Sequence, residues 1–383
     1  MKTQTSSATP RRILMTVDPI GGVWTYALEL ARAVEPYGIE IALASMGAHL
    51  TRGQYQQVLA RKNVRLFEST YRLEWMEYPW ENVDCAGDWL LKIAERFRPD
   101  LVHLNGYSHA SLEWDAPVLI VAHSCVLSWW RAVKNQEAPA HYHQYRARVA
   151  AGLAAADLIV APSAAMADAL ALHYEAHGRC MVIPNGRDPR PFLSAEKASL
   201  VFSCGRIWDE AKNLRLLDEI APHVPWPIAV AGDCQHPGGS TVALENVRCL
   251  GKLEAHDVER QLSRAAIFAL PARYEPFGLS ALEAGLSGCA LVLGDIPSLR
   301  ETWDGAAIFV PPDDATALAN ALNGLIEDER RREYFGECAL ARALEFSAQR
   351  MATEYIAAYR VCAEQKSRSA AEKPELFVEE VAA

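Results

Sequence analysis

The sequence predicts an α/β protein built from two doubly wound parallel sheets that face a central cleft. Three observations predict it. The chain opens on a strand, a Gly-Gly loop, a helix and a second strand, which is a βαβ unit. Short apolar strands then alternate with helical stretches, as in a sheet buried on both faces. Finally, the alternation restarts after a Pro- and Arg-rich stretch at 184–192, in a chain of 383 residues that is too long for one ordinary core.

The first strand is read at 12–17 (Arg-Ile-Leu-Met-Thr-Val), running into Asp18-Pro19-Ile20-Gly21-Gly22-Val23 and a helix over 24–37. A second strand follows at 38–44, and further apolar strands at 100–104, 118–123, 157–161 and 181–183. After the linker, strands are read at 200–204, 228–231, 247–250, 267–270, 290–293 and 307–310. A helix at 348–361 and a frayed tail from about Lys366 close the chain. The expected domains are therefore residues 1–188 and 189–346, with a C-terminal helix at 347–365 crossing back to the first domain and a tail at 366–383.

Composition narrows the function. A net charge of −10 argues against a nucleic-acid partner, because phosphate backbones need a basic face. The nine scattered Cys contain no Cys-x-x-Cys, which reads as reduced thiols rather than a disulfide framework or zinc site. His103, His109, His141 and His143 form no metal-ligand pattern. The polar N-terminus lacks a secretory h-region, and no apolar run approaches a membrane span. A cytoplasmic location is expected, with contact to the inner membrane at most peripheral.

Glu275 and Glu283 carry the most information. They stand eight positions apart in Arg-Tyr-Glu-Pro-Phe-Gly-Leu-Ser-Ala-Leu-Glu-Ala-Gly, residues 273–285. Pro276 and Gly278 place Glu275 in a loop, while Leu279, Leu282 and Leu286 recur at helical spacing and place Glu283 inside a helix. Free N–H groups and the dipole at a helix start attract phosphate, and carboxylates accept hydrogen bonds from sugar hydroxyls. Arg206 and Lys212 put two cations at the end of the restart strand, although Asp209 and Glu210 between them could simply pair with both. Gly21-Gly22 makes either a tight turn or a close ligand approach, and the full Gly-x-Gly-x-x-Gly of a dehydrogenase is absent. His123 ends a strand that points at the cleft. Trp75, Trp80, Trp129 and Trp130 suit a core stripe, stacking on an acceptor, or a membrane interface.

These residues resemble the retaining glycosyltransferases of family 4, whose fold is GT-B with two Rossmann-like domains. The resemblance covers the Glu-x7-Glu motif, Gly205-Arg206 with Lys212-Asn213, the Pro184-Asn185-Gly186-Arg187-Asp188 linker, and Val310-Pro311-Pro312-Asp313. It is looser in the first domain, through Gly21-Gly22, His103, His123 and Ala161-Pro162-Ser163. It departs mildly at Ala272 and Ala290. It implies an acceptor-binding first domain and a donor-binding second one. The substrates would be a UDP- or GDP-linked sugar and a hydroxyl acceptor, with no metal and no other cofactor. Arg206 and Lys212 would hold the diphosphate, aided by backbone N–H groups around Phe277, Gly278, Leu279 and Ser280. Glu275 would bind the sugar, Glu283 the ribose, and Gly21-Gly22 would close on the diphosphate while His123 approaches the sugar. The catalytic set is thus His123, Glu275, Arg206 and Lys212. A nucleotide-sugar epimerase of the same fold, or a non-catalytic nucleotide-sugar-binding partner, is the alternative.

Overall fold

The computed structural model describes residues 9–174, 180–192, 196–236 and 239–372. Seven parallel strands form the first sheet: β1 (Arg12–Val17), β2 (Glu40–Ser45), β3 (Val64–Glu68), β4 (Leu101–Leu104), β5 (Val118–Val121), β6 (Leu158–Ala161) and β7 (Cys180–Val182). Their spatial order is β3-β2-β1-β4-β5-β6-β7. The second sheet holds β8 (Ala198–Cys204), β9 (Ile228–Ala231), β10 (Arg248–Cys249), β11 (Ala265–Leu270), β12 (Ala290–Gly294) and β13 (Ile308–Val310). Its order is β10-β9-β8-β11-β12-β13, and every pairing in both sheets is parallel. Each sheet reverses its winding once, between β1 and β4 and between β8 and β11. In open α/β sheets ligands bind at these switch points, beyond the C-terminal strand ends.

Most of the predicted strands coincide with these within two residues. The sequence reading missed β3, a partly exposed outer strand of alternating character, Val-Arg-Leu-Phe-Glu. The first helix runs over Gly22–Val34 and then tightens into a 3₁₀ turn at Glu35–Tyr37, where Pro36 cannot supply an α-helical N–H. The last helix is longer than expected, Ala348–Glu372, so residues 366–372 are helical rather than frayed. The rest of the expected tail, 373–383, lies outside the described residues.

That last helix buries Met351, Tyr355, Tyr359 and Cys362 against Tyr26, Ala27 and Leu30 of the first domain. The chain thus passes between the domains twice, and the two crossings touch. Arg187 N donates to Phe346 O at 3.0 Å and Ala348 N to Arg187 O at 3.1 Å. A Cβ on Gly186 would lie 2.3 Å from Ser347 O, so only glycine lets the crossings approach this closely. All nine cysteines are free thiols.

Candidate active site

A cleft of about 1020 Å³ separates the C-terminal edges of the two sheets. Every site residue expected from the sequence lines it. Gly21 and Gly22 follow β1, His123 follows β5, Arg206 and Lys212 follow β8, and the 275–283 segment follows β11. The two halves meet across it at the glycine loop. A Cβ on Gly22 would come within 3.3 Å of Leu279 Cδ1, and one on Gly21 within 3.6 Å of the Arg206 guanidinium. Gly21 also holds φ at +109°, which an L-residue rarely adopts.

The loop after β8 presents the cations. Arg206 donates to Asp209 Oδ2 at 2.7 Å and lies over the Trp208 ring, 5.2 Å from its centroid. Its Nε is buried without a hydrogen-bond partner in the structure, a donor that a ligand oxygen could satisfy. Asp209 also accepts from the Trp129 indole at 3.1 Å. Burial pushes this carboxyl up, but Arg206, Lys212 and Trp129 outweigh it and hold the group below its usual range. Glu210 turns away to Lys134 of the first domain, 2.6 Å distant, and Lys212 pairs instead with Glu275. The intervening acids therefore neutralise one cation of the loop, and the other is held by the motif itself. Asn213 fixes the end of the loop in the left-handed region (φ 56°), donating to Pro271 O and Pro312 O.

The carboxylates occupy the places the spacing implied. Glu275 accepts from Gly278 N at 3.0 Å, and Ser298 Oγ donates to its carbonyl at 2.5 Å, so the loop is braced at both ends. Gly278, at φ +90°, turns the chain into the helix Leu279–Leu286. The first N–H groups of that helix have no helical carbonyl to bond, and they open where Leu279 and Ser280 wall the cleft. One turn in, Glu283 lies 3.0 Å from Arg187, which also donates to Glu29 at 2.8 Å. Burial pushes the Glu283 carboxyl up; Arg187 opposes this, while Glu259 and Glu29 add to it. Arg187 was quoted in the linker resemblance but not foreseen as a site residue, because its contacts to both domains exist only in the folded chain.

On the first domain, His123 Nε2 sits 2.8 Å from Asn105 Oδ1 and its ring packs edge-on to Tyr26. The Asn105 amide group already donates to Thr16 O at 2.7 Å, so its oxygen faces the imidazole and Nε2 carries the proton. Burial pushes His123 down to about 3, which leaves a neutral ring with Nδ1 as acceptor. Asp18, three residues before the glycine pair, was missed by the sequence reading. It accepts from Ile20 N at 2.6 Å, and burial raises it to about 7 despite that bond, the nearby charge of Arg206 and a bond to Trp75.

A second cavity of about 380 Å³ opens off the cleft into the first domain. Trp75, Tyr107, Trp129, Trp130 and Tyr142 wall it, so the tryptophan cluster noted in the sequence largely faces a pocket. Trp80 does not; it lies under the Arg148 guanidinium instead. The domains are further tied by Ser163 Oγ donating to Pro276 O (2.6 Å) and Cys125 N to Tyr274 Oη (3.0 Å). Glu301 accepts from Ala164 N and Ala165 N at the start of the helix Ala164–Tyr174. Among the described residues no group of three or more His, Cys, Asp or Glu is placed to hold a metal ion, and no helix is long and apolar enough to cross a membrane.

Two sequence profiles match the chain: Glycosyltransferase Family 4 over residues 20–190 and Glycosyl transferases group 1 over residues 198–328. The chain belongs to the family 4 glycosyltransferases. Among curated relatives, O-antigen chain mannosyltransferase B of Escherichia coli is 31% identical over 30% of this chain and 30% of its own length. The α-maltose-1-phosphate synthase of Mycolicibacterium smegmatis is 26% identical over 66% of this chain and 74% of its own length. The first relative is thus matched over less than a third of its length. Solved structures agree on the GT-B fold. A sucrose-phosphate synthase from Thermosynechococcus elongatus has a TM-score of 0.75 at 19% identity, covering 94% of this chain and 100% of its own. The Anabaena protein HepE, crystallised with UDP-glucose, has a TM-score of 0.71 at 19% identity, covering 93% and 99%.

Proposed function

We propose that this glycosyltransferase moves a sugar from a UDP- or GDP-linked donor to a hydroxyl acceptor, with retention and without a metal. One observation carries the reading: Arg206, Lys212 and the start of the 279–286 helix converge on one cleft wall, with Glu275 and Glu283 beside them. Donor diphosphate would take the orphan Arg206 Nε, and Lys212 would release Glu275 to meet the leaving group. The same cations then offset the charge that grows on the diphosphate as the glycosidic bond breaks. The freed Glu275 carboxylate accepts from hydroxyls of the donor sugar, while Glu283 accepts from the ribose. His123 stays neutral and approaches the sugar through Nδ1 as an acceptor.

Both carboxylates belong to the second domain and flank no bond from opposite sides, which supports attack on the leaving-group face over a glycosidase-like double displacement. The acceptor enters from the first domain, through the aromatic cavity beside Asp18 and His123. Contact with a membrane is at most peripheral. The test is a thermal-shift screen of nucleotide sugars, since a bound donor stabilises the fold by mass action. A UDP or GDP sugar should raise Tm by several degrees, with EDTA making no difference, and the product anomer should match the donor by NMR. Silence toward UDP, GDP and ADP sugars alike rejects the reading.

A further inference from the structure

The cavity in the first domain has a chemical character that distinguishes it from the donor cleft. The two voids share a border that includes His123, Arg206 and Asp209. Both guanidiniums of the cavity, Arg72 and Arg206, lie on that border, and both are engaged. Arg72 donates to Glu77 O at 2.8 Å and Arg206 to Asp209. Deeper in, where the donor cleft does not reach, the acidic lining residues are Asp18, Glu74 and Glu210 with no Lys or Arg among them. Glu210 is paired with Lys134 from outside the cavity, so Glu74 and Asp18 set the local charge. Glu74 is built in firmly, accepting from Tyr107 N at 3.0 Å and Ser108 N at 2.8 Å. His109 adds no positive charge, because burial lowers it and its Nε2 meets Val83 O at 2.9 Å.

The remaining wall is aromatic and aliphatic, with Trp75, Trp130 and Tyr142 beside Met46, Leu73 and Val126. Trp129 and Trp130 stand edge to face at 5.7 Å, and Trp130 meets Tyr142 at 6.2 Å. Faces of this kind stack on the C–H side of a sugar, on an aromatic ring or on a cation. A phosphate group deep in the pocket would be stripped of water beside the fixed Glu74 carboxylate, with Arg72 only at the border and Arg206 taken by the donor diphosphate, which is costly in a partly closed pocket. Volume adds a limit, since about 380 Å³ holds one or two rings rather than a long chain.

Resting on the glycosyltransferase reading, we infer that the acceptor is a small, ring-bearing hydroxyl compound without phosphate or other negative charge. Its ring stacks on Trp130, and its reacting hydroxyl is aimed at the donor between Asp18 and His123. This sets the chain apart from relatives whose names specify phosphorylated products.

The experiment uses the full chain with UDP bound and two probes that differ in a single group, phenyl β-glucoside and its 6-phosphate. Binding is followed by tryptophan fluorescence, to which Trp75, Trp129, Trp130 and Trp208 report. The neutral glucoside should bind saturably, and the phosphate ester should bind at least tenfold more weakly. Trp130→Ala should weaken the glucoside about tenfold, and Glu74→Gln should narrow the gap between the probes severalfold by removing a repelling charge. If the ester binds as well as the glucoside or better, or if neither binds, the inference falls. Nucleotide binding, measured separately by thermal shift, keeps the two readings apart. Absence of binding to UDP, GDP and ADP alike counts against the donor reading, whereas intact nucleotide binding with a preference for the ester overturns only the acceptor class.

Discussion

The two halves of this molecule build their sides of the cleft in different ways. In the second domain the working residues come from two short loops and one helix start, 205–213 and 275–283, and they brace one another: Lys212 on Glu275, Glu275 on Gly278, Arg206 on Asp209. In the first domain the cavity gathers Asp18, Glu74, Tyr107, Trp130 and Tyr142 from five separate segments. A diphosphate needs a fixed array of donors, which a local motif can provide. An acceptor pocket needs only shape and polarity, which many arrangements of distant residues can supply.

The comparison can be broken most directly at Glu275. Glu275→Ala should cut transfer about 10³-fold, on the scale of removing a transition-state contact, while UDP affinity measured by calorimetry stays within about threefold. Near-normal turnover would show that this carboxylate does not hold the sugar. Arg206→Ala should cost about 10²-fold in rate and weaken UDP as well, because its guanidinium would serve both ground state and transition state. If only the rate falls and UDP affinity is kept, Arg206 does not grip the ground-state diphosphate.

Much of the second-domain site was legible before folding for this reason. Loop breakers, helical spacing and cations at a strand end are local signals, and 275–283 folded as they implied. Asp18 and Glu74 were not legible. Asp18 stands near the glycine pair but is made unusual by burial, against the opposing charge of Arg206 from the other domain, and Glu74 gains its role by capping Tyr107 and Ser108. Arg187 is a third case, because its bonds to Glu29 and Glu283 join residues far apart in the chain. The tail was misjudged for a related reason. Its polar composition reads as frayed, yet Lys366 donates to Trp114 O and the helix continues to Glu372.

Acid should separate the halves thermodynamically. Burial pushes His103 and His123 down to about 3, so in the fold they stay neutral while the unfolded chain protonates them below their ordinary value of 6.5. The stability they contribute is present above pH 6.5 and is lost as the pH falls from there towards 3. Asp18, raised to about 7, has the opposite sign and offsets part of this in the first domain, where the two histidines outweigh it. Glu283 has that opposite sign in the second. Burial raises it, so its unfavourable charging is absent in acid and grows as the pH climbs past the usual Glu range. Hydrogen exchange at about pH 5 should therefore open the first sheet before the second. Simultaneous opening would indicate that the domains unfold as one unit.

The smallest expected effect lies at the seam. Glu301→Ala removes a carboxylate that caps a helix of the other domain, at a cost of about 1 kcal/mol. Tm should drop by a few degrees at unchanged UDP affinity. An unchanged Tm would mean that this contact adds nothing to how the domains are joined.

The sequence alone determined the two doubly wound sheets and the residues that line the second-domain wall of the cleft, because strand alternation, glycine turns and helix starts are decided within a few residues of themselves. Only the tertiary structure decided what those residues meet and what the first-domain side of the cleft looks like. Lys212 finds Glu275 across 63 positions, Trp129 finds Asp209 across 80, and the last helix closes the first core from the far end of the chain. Burial, charge pairing and pocket shape come from such meetings, and no local pattern records them.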